Sequence, residues 1–281
     1  MTKKVRRVVA LLISAPLVLW AASVFAQEAS SPERDEPQTP SVDEIVKKTN
    51  HMAYYQGHDG AARVLMTITD KQLKTRSKEF TILRRNQDEK DEGQRFYVYF
   101  HEPPDERGTV FMVHKHVGKD DDRWLYLPAL DATNRIAASD ERTSFVGSHY
   151  FYEDVSGRGI EEDIHELVDV TDTYYVLKNT PKNPERVEFD SYKMWIHKGT
   201  FLPIQVAFEK DGKVYRTSKT LKVEDIQGYK TVTKAQISDD NIGGSTVIEY
   251  KNVQYDLGIP EEVFTERYLR NPPLEYIDRT K

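Results

Sequence analysis

Between residues 61 and 255 apolar side chains recur at every second position, and this period of two commits most of the chain to β-strands. Val64, Met66 and Ile68 alternate with Arg63, Thr67 and Thr69. Phe96, Val98 and Phe100 alternate with Arg95, Tyr97 and Tyr99, and Leu202, Ile204, Val206 and Phe208 repeat the pattern. Similar runs lie near residues 174–178, 187–197, 214–223, 231–238 and 246–255. Turn signals separate them: Asp91-Glu92-Gly93, Pro103-Pro104, Lys198-Gly199, Asp211-Gly212, Gln227-Gly228 and Gly243-Gly244. Asp211-Gly212 is the cleanest hairpin signal. About eleven consecutive strands, mostly joined by hairpins, predict a mainly β (α+β) domain built on one antiparallel sheet. A sheet of that size curls.

Three segments depart from this pattern. Residues 41–55 read as a helix, with Ser41 and Glu44 spaced as a capping box and Val42, Ile45, Val46, Thr49, Met52 and Ala53 on one face. Residues 140–166 are polar and interrupted by Gly147, Gly157 and Gly159, so loops and short helical pieces are expected there. Residues 260–268 read as a short helix with Pro260 in its first turn, and residues 271–281 as a C-terminal tail. The domain is therefore expected to span residues 41–270.

The N-terminal 26 residues have the layout of a secretory signal peptide: a basic start (Lys3, Lys4, Arg6, Arg7), an uncharged apolar run over 8–24, and Val24-Phe25-Ala26 as a cleavage site. The run is near the lower limit for a membrane span and contains Pro16, so cleavage after Ala26 is expected, with no membrane anchor left and the mature protein in the periplasm. Residues 27–40, rich in Pro, Ser, Glu and Asp, are expected to form a disordered linker. The chain has no cysteine, which rules out a lipid-anchored lipoprotein and leaves a fold that rests on its core alone. Removing the four basic residues of the signal takes the chain from 40 basic and 46 acidic residues to 36 and 46, a formal charge of −10. A chain this acidic is a poor partner for nucleic acid or anionic lipid surfaces.

Several strands are apolar or aromatic on both faces: Tyr97 and Tyr99 share a strand with Phe96, Val98 and Phe100, and Trp195 sits between Met194 and Ile196. A sheet with one wet face does not look like this. Either the helix and the 140–166 segment fill the concave side completely, or an apolar cavity remains there. The cavity is the expectation, with Met66, Phe96, Val98, Phe111 and Trp124 as candidate ligand-contacting wall residues, although a one-residue shift of register would swap the faces. Trp124 and Tyr126 suit a core as well as a wall.

Catalytic and metal constellations are weak. His114 and His116, followed by Asp120-Asp121-Asp122, lack the spacing of a zinc or hard-cation site. Gly147-Ser148-His149 is not a nucleophile elbow, and Gly157-Arg158-Gly159 is too short for a phosphate loop. Glu161-Glu162-Asp163 is explained by a surface charge run. Neither an enzyme nor a cofactor or metal is expected.

An ordered set of motifs carries a resemblance: Gly108-Thr109-Val110-Phe111; Arg123-Trp124-Leu125-Tyr126-Leu127-Pro128 after Asp120-Asp121-Asp122; Arg135-Ile136-Ala137; Ser144-Phe145-Val146-Gly147-Ser148; and Tyr152-Glu153-Asp154-Val155. Over about fifty residues this block resembles the outer membrane lipoprotein-sorting protein-like family, the long relatives of the carrier LolA. The resemblance implies a half-open barrel of about eleven strands with a helical lid over a concave apolar face that takes lipid or lipoprotein acyl chains. It further implies a periplasmic carrier or chaperone trafficking lipid toward the outer membrane. The rival is a sensor or adaptor module that serves a membrane partner, such as an inner-membrane transporter of the resistance-nodulation-division class. No cargo-contacting residue is carried over from the family motif.

Overall fold

Thirteen antiparallel strands form one continuous sheet in the computed structural model, which describes residues 39–281. The expected signal peptide, and the expected linker apart from its last two residues, lie outside the described residues. Among the described residues no helix is long and apolar enough to cross a membrane.

The sheet is two meanders joined at their ends. The first contains β1 (Asp59–Asp70), β2 (Thr75–Asn86), β3 (Gly93–Glu102), β4 (Val110–His116), β5 (Asp122–Leu127) and β6 (Ala132–Ile136). The second contains β7 (Asp163–Val170), β8 (Tyr174–Pro181), β9 (Ser191–His197), β10 (Pro203–Lys210), β11 (Lys213–Ile226), β12 (Tyr229–Asp239) and β13 (Gly244–Tyr255). β13 returns to pair with β1, with Met66 opposite Ile248. β6 and β7 are left as the two free edges, so the curled sheet does not close. The strand count exceeds the expected eleven. At the predicted hairpin Asp211-Gly212 both residues have positive φ (51° and 71°), the geometry that matches the twist of the flanking strands.

Because β6 and β7 sit at opposite edges, the chain between them must cross the whole sheet. Residues 137–162 make this crossing over the inner face. Where a helical lid was expected, the segment is mostly single 3₁₀ turns plus one short helix, α2 (Tyr152–Ser156). Its many polar residues and Gly147, Gly157 and Gly159 leave too little regular pattern for a longer helix. The expected helix near the N-terminus is α1 (Val42–Asn50), continued by a π-helical turn over His51–Tyr55. Its cap is as the sequence predicts: the Glu44 amide donates to Ser41 Oγ at 3.2 Å. Ile45 and Val46 bury against Tyr175, Leu177 and Ile196, so α1 lies on the inner face of β8 and β9.

The outer face of β1–β5 is covered as well. Leu83, Tyr97, Val110 and Met112 pack against Ile259, Val263, Phe264, Leu269, Tyr276 and Ile277. The residues that follow β13, including α3 (Arg267–Arg270) and α4 (Leu274–Ile277), thus form a strap. Residues 271–281, expected as a tail, are part of it: Tyr276, Ile277 and Thr280 are buried, and Thr280 Oγ1 bonds Thr81 Oγ1 at 2.9 Å. Burying a side chain like Ile277 or Tyr276 contributes about 1.5–3 kcal/mol. Truncation after Arg270 should therefore lower unfolding stability by about 3 kcal/mol or more. A urea midpoint equal to that of the full chain would show that the strap does not stabilise the sheet.

Candidate functional site

Between α1 and the crossing segment the inner face of the sheet is not filled. A cavity of about 440 Å³ remains, inside the size range of about 300–1,000 Å³ typical of small-molecule sites. Its wall is largely apolar. Ile204, Val206 and Met194 of the second meander face Ile82, Phe96 and Val98 of the first, with Ile237 and Ile248 between.

Three of the five sequence candidates, Met66, Phe96 and Val98, line this cavity. They form its packed floor, since all are nearly or fully buried. Phe111 is on the same face but beneath the crossing segment, where its ring lies 5.4 Å from Phe145 and 5.1 Å from Tyr152. Trp124 is on the outer face. It is paired across the ladder with Met112, packs on the strap and stacks edge-on with His114 at 4.8 Å. Placing Trp124 in the cavity wall is therefore corrected: Leu125 and Arg123, not Trp124, point inward on β5. Alternation along a strand gives the two sets of residues but not which set is inside.

Besides apolar residues such as Ile204 and Val206, the sequence reading missed polar residues of the wall. Tyr54, Tyr150, Tyr250 and Arg84 all line the cavity. Burial raises the pKa of all three phenols, that of Tyr250 to about 12, so they remain protonated donors. The Tyr150 hydroxyl is buried with no hydrogen-bond partner among the described residues. Arg84 left a signal in the sequence: it continues the inward series Phe80, Ile82 with a charge where the period calls for an apolar residue.

The crossing segment is held over the cavity by side chains. At one end Phe145 inserts among Phe80, Phe100, Phe111 and Tyr152, with ring centroids 5.4–6.3 Å away. In the middle Gly157 lies against the Tyr54 ring, where a Cβ would sit 2.4 Å from Cζ, and Lys115 Nζ donates to the Ser156 and Gly157 carbonyls at 2.8 and 2.9 Å. Charge pairs then tie the segment to both meanders. Arg123 of β5 reaches Glu141, and fully buried Arg216 of β11 reaches Asp154. Arg142 bridges Glu153 and Glu188, and Arg158 bridges Glu153, Glu162 and Asp163. None of these ties is a strand ladder, so the segment is bound without being part of the sheet.

Burial pushes the Glu188 carboxyl up, but its hydrogen bonds to Arg142 and that guanidinium's charge outweigh this and hold it at about 2. A folded value below the unfolded one, roughly 4.3, means stability that is present above the unfolded value and lost as pH falls toward 2. The melting temperature should drop across the window from about pH 4.3 to 2, and Glu188→Gln should make that drop shallower. An identical slope in the variant would show that the pair with Arg142 is not formed in solution.

The histidines singled out in the sequence have structural partners. His114 Nε2 bonds the Phe264 carbonyl of the strap at 2.6 Å, and His116 Nε2 bonds Asp122 Oδ2 at 3.1 Å. Among the described residues no three of His, Cys, Asp and Glu converge to hold a metal ion.

Comparison with known proteins agrees with this architecture. A family model of uncharacterized proteins matches residues 92–271. A DUF1329 family protein from Desulfovibrio piger is 24% identical with a TM-score of 0.73, over 82% of this chain and 100% of that one. An outer membrane lipoprotein-sorting protein domain from Vibrio parahaemolyticus is 24% identical with a TM-score of 0.72, over 81% and 97%. A LolA superfamily protein from Nitrosomonas europaea is 18% identical with a TM-score of 0.64, over 82% and 100%. At these identities the likeness is one of fold. No curated protein matches the chain.

Proposed function

Since the chain belongs to the outer membrane lipoprotein-sorting protein-like, LolA-like family, we propose that it is a periplasmic carrier that shelters the apolar part of a lipid or lipidated protein in the cavity between α1 and the crossing segment. The observation that carries this reading is an apolar cavity roofed by a segment tied down mainly through side chains. The physical task is simple. Exposing an acyl chain to water costs about 0.8 kcal/mol per methylene, so a carrier in water needs an enclosed apolar wall. It must also load and release without bond chemistry. A roof attached by rings and ion pairs can lift while all thirteen strands stay paired, which separates access to the cavity from the stability of the sheet.

A volume of about 440 Å³ suits one chain or one small lipid with the roof as described. Native mass spectrometry of protein taken from the periplasm should show a co-purifying lipid mass that disappears on denaturation. Protein that is free of lipid, and that takes up no neutral fluorescent apolar probe when offered one, would sink the carrier reading.

A further inference from the structure

Arg84 is out of place in an apolar wall. It stands near the end of β2, under the C-terminal end of the α1 turn, and lines the cavity. One Nη donates to Asn86 Oδ1 at 2.7 Å and the other to the Gln56 carbonyl, and both acceptors are neutral. These bonds use two of the five donors of a guanidinium. The other arginine on the wall, Arg158, touches three carboxylates, and the wall acids Glu153 and Asp154 are taken by Arg142, Arg158 and Arg216. Arg84 has no carboxylate within 4.0 Å among the described residues. The acids whose charge reaches it, Asp59 and Asp256, direct their oxygens elsewhere. Asp59 accepts from the backbone amides of Leu257 and Ile259, and Asp256 from the His58 amide and the Tyr229 hydroxyl. Burial therefore works against the charge of Arg84 and pulls its pKa down.

A buried cation normally has a counter-ion in contact, because leaving it without one is costly. Here the open side of the guanidinium is the cavity. We propose, resting on the carrier reading, that Arg84 anchors the head of the bound molecule, so that the ligand is an amphiphile with a single oxyanion, carboxylate or phosphate, on an apolar chain. The planar guanidinium takes either head through paired N–H donors. The chain then runs along Ile82, Ile204 and Val206.

The test uses the purified full chain at about pH 8, where a fatty carboxylate is ionised. Dodecanoate, dodecyl phosphate and dodecanol each displace a neutral apolar dye, and their affinities are compared. At least one anion should bind about tenfold or more tightly than dodecanol, the factor expected of charge-assisted hydrogen bonds. Which anion wins identifies the head. Arg84→Gln should erase the preference by weakening the anions about tenfold more than dodecanol, and Arg84→Lys should keep part of it. Melting temperatures establish that the variants are folded, and the wild-type ranking decides the matter if Arg84→Gln is not. Dodecanol binding as tightly as both anions would overturn the anchor and leave the carrier standing. If neither the dye nor any of the three binds, the carrier reading itself is wrong and the anchor with it.

Discussion

Phe145→Ala should destabilise the protein by about 3–5 kcal/mol, and the loss should appear first in the segment that crosses the inner face. Phe145 is fully enclosed and touches four aromatic rings from β2, β3, β4 and α2. Its own stretch of backbone has little to hold it. The 3₁₀ turns flanking it are three residues long, α2 is five, and the one bridge nearby pairs Ser144 with Phe151. Helical pieces this short are not stable by themselves. Without the ring, the segment would hang on its charge pairs, among them Arg123–Glu141, Arg142–Glu188, Arg216–Asp154 and Arg158–Asp163, and on the Lys115 bonds. Denaturant unfolding gives the total loss, and amide exchange resolves its location: residues 138–156 should exchange much faster while β1, β13 and β12 change little. A loss below about 1 kcal/mol, or one spread evenly over the strands, would mean that the ring does not hold the roof.

How much of this architecture the sequence discloses depends on whether the signal is local. Alternation shows the strands of the two meanders, and Asp-Gly and Gln-Gly turns show where they reverse. Two strands escaped, for opposite reasons. β6 is Ala-Thr-Asn-Arg-Ile, with almost no apolar residue to mark it. β7 has its apolar residues Ile164, Val168 and Val170 exposed at a free edge, and its first half falls in the polar 140–166 segment that reads as irregular. The pairing of β1 with β13 joins residues almost two hundred positions apart and leaves no local trace. Two-faced strands such as β3 correctly announced that both faces are covered. The inference that too little chain remained to cover the second face overlooked Ile259, Val263, Phe264, Leu269, Tyr276 and Ile277, whose spacing is broken by Pro260, Pro272 and Pro273 and so follows no helical or strand period. The cavity nevertheless lies on the concave side between α1 and the roof, where the sequence led one to look for it. Most of the ion pairs that hold the roof were beyond reach as well. Arg142, Glu153, Arg158 and Arg216 look in sequence like any other surface charges, and only the crossing buries them.

Placing an aspartate at Ile204 should abolish uptake of an apolar probe while costing only about 1 kcal/mol of stability, whereas aspartate at Val98 should unfold the domain. The two positions line the same cavity on opposite meanders. They differ in what surrounds them. Val98 is fully enclosed in the cluster with Phe80, Phe111 and Phe145, so a carboxylate there has neither water nor a partner and costs several kcal/mol. Ile204 is only half-buried and belongs to none of the buried clusters, so its free surface meets the cavity. A carboxylate there retains water when the cavity is empty, but it faces the chain of any ligand that enters, and an acyl chain would have to strip that water away. Binding should fall by a factor of a hundred or more, on the order of 3 kcal/mol, with the melting temperature nearly kept. Both substitutions unfolding the protein would make the space a core imperfection instead of a binding site. Undiminished uptake by folded Ile204→Asp would put the probe, and the carrier's ligand, somewhere other than between α1 and the crossing segment.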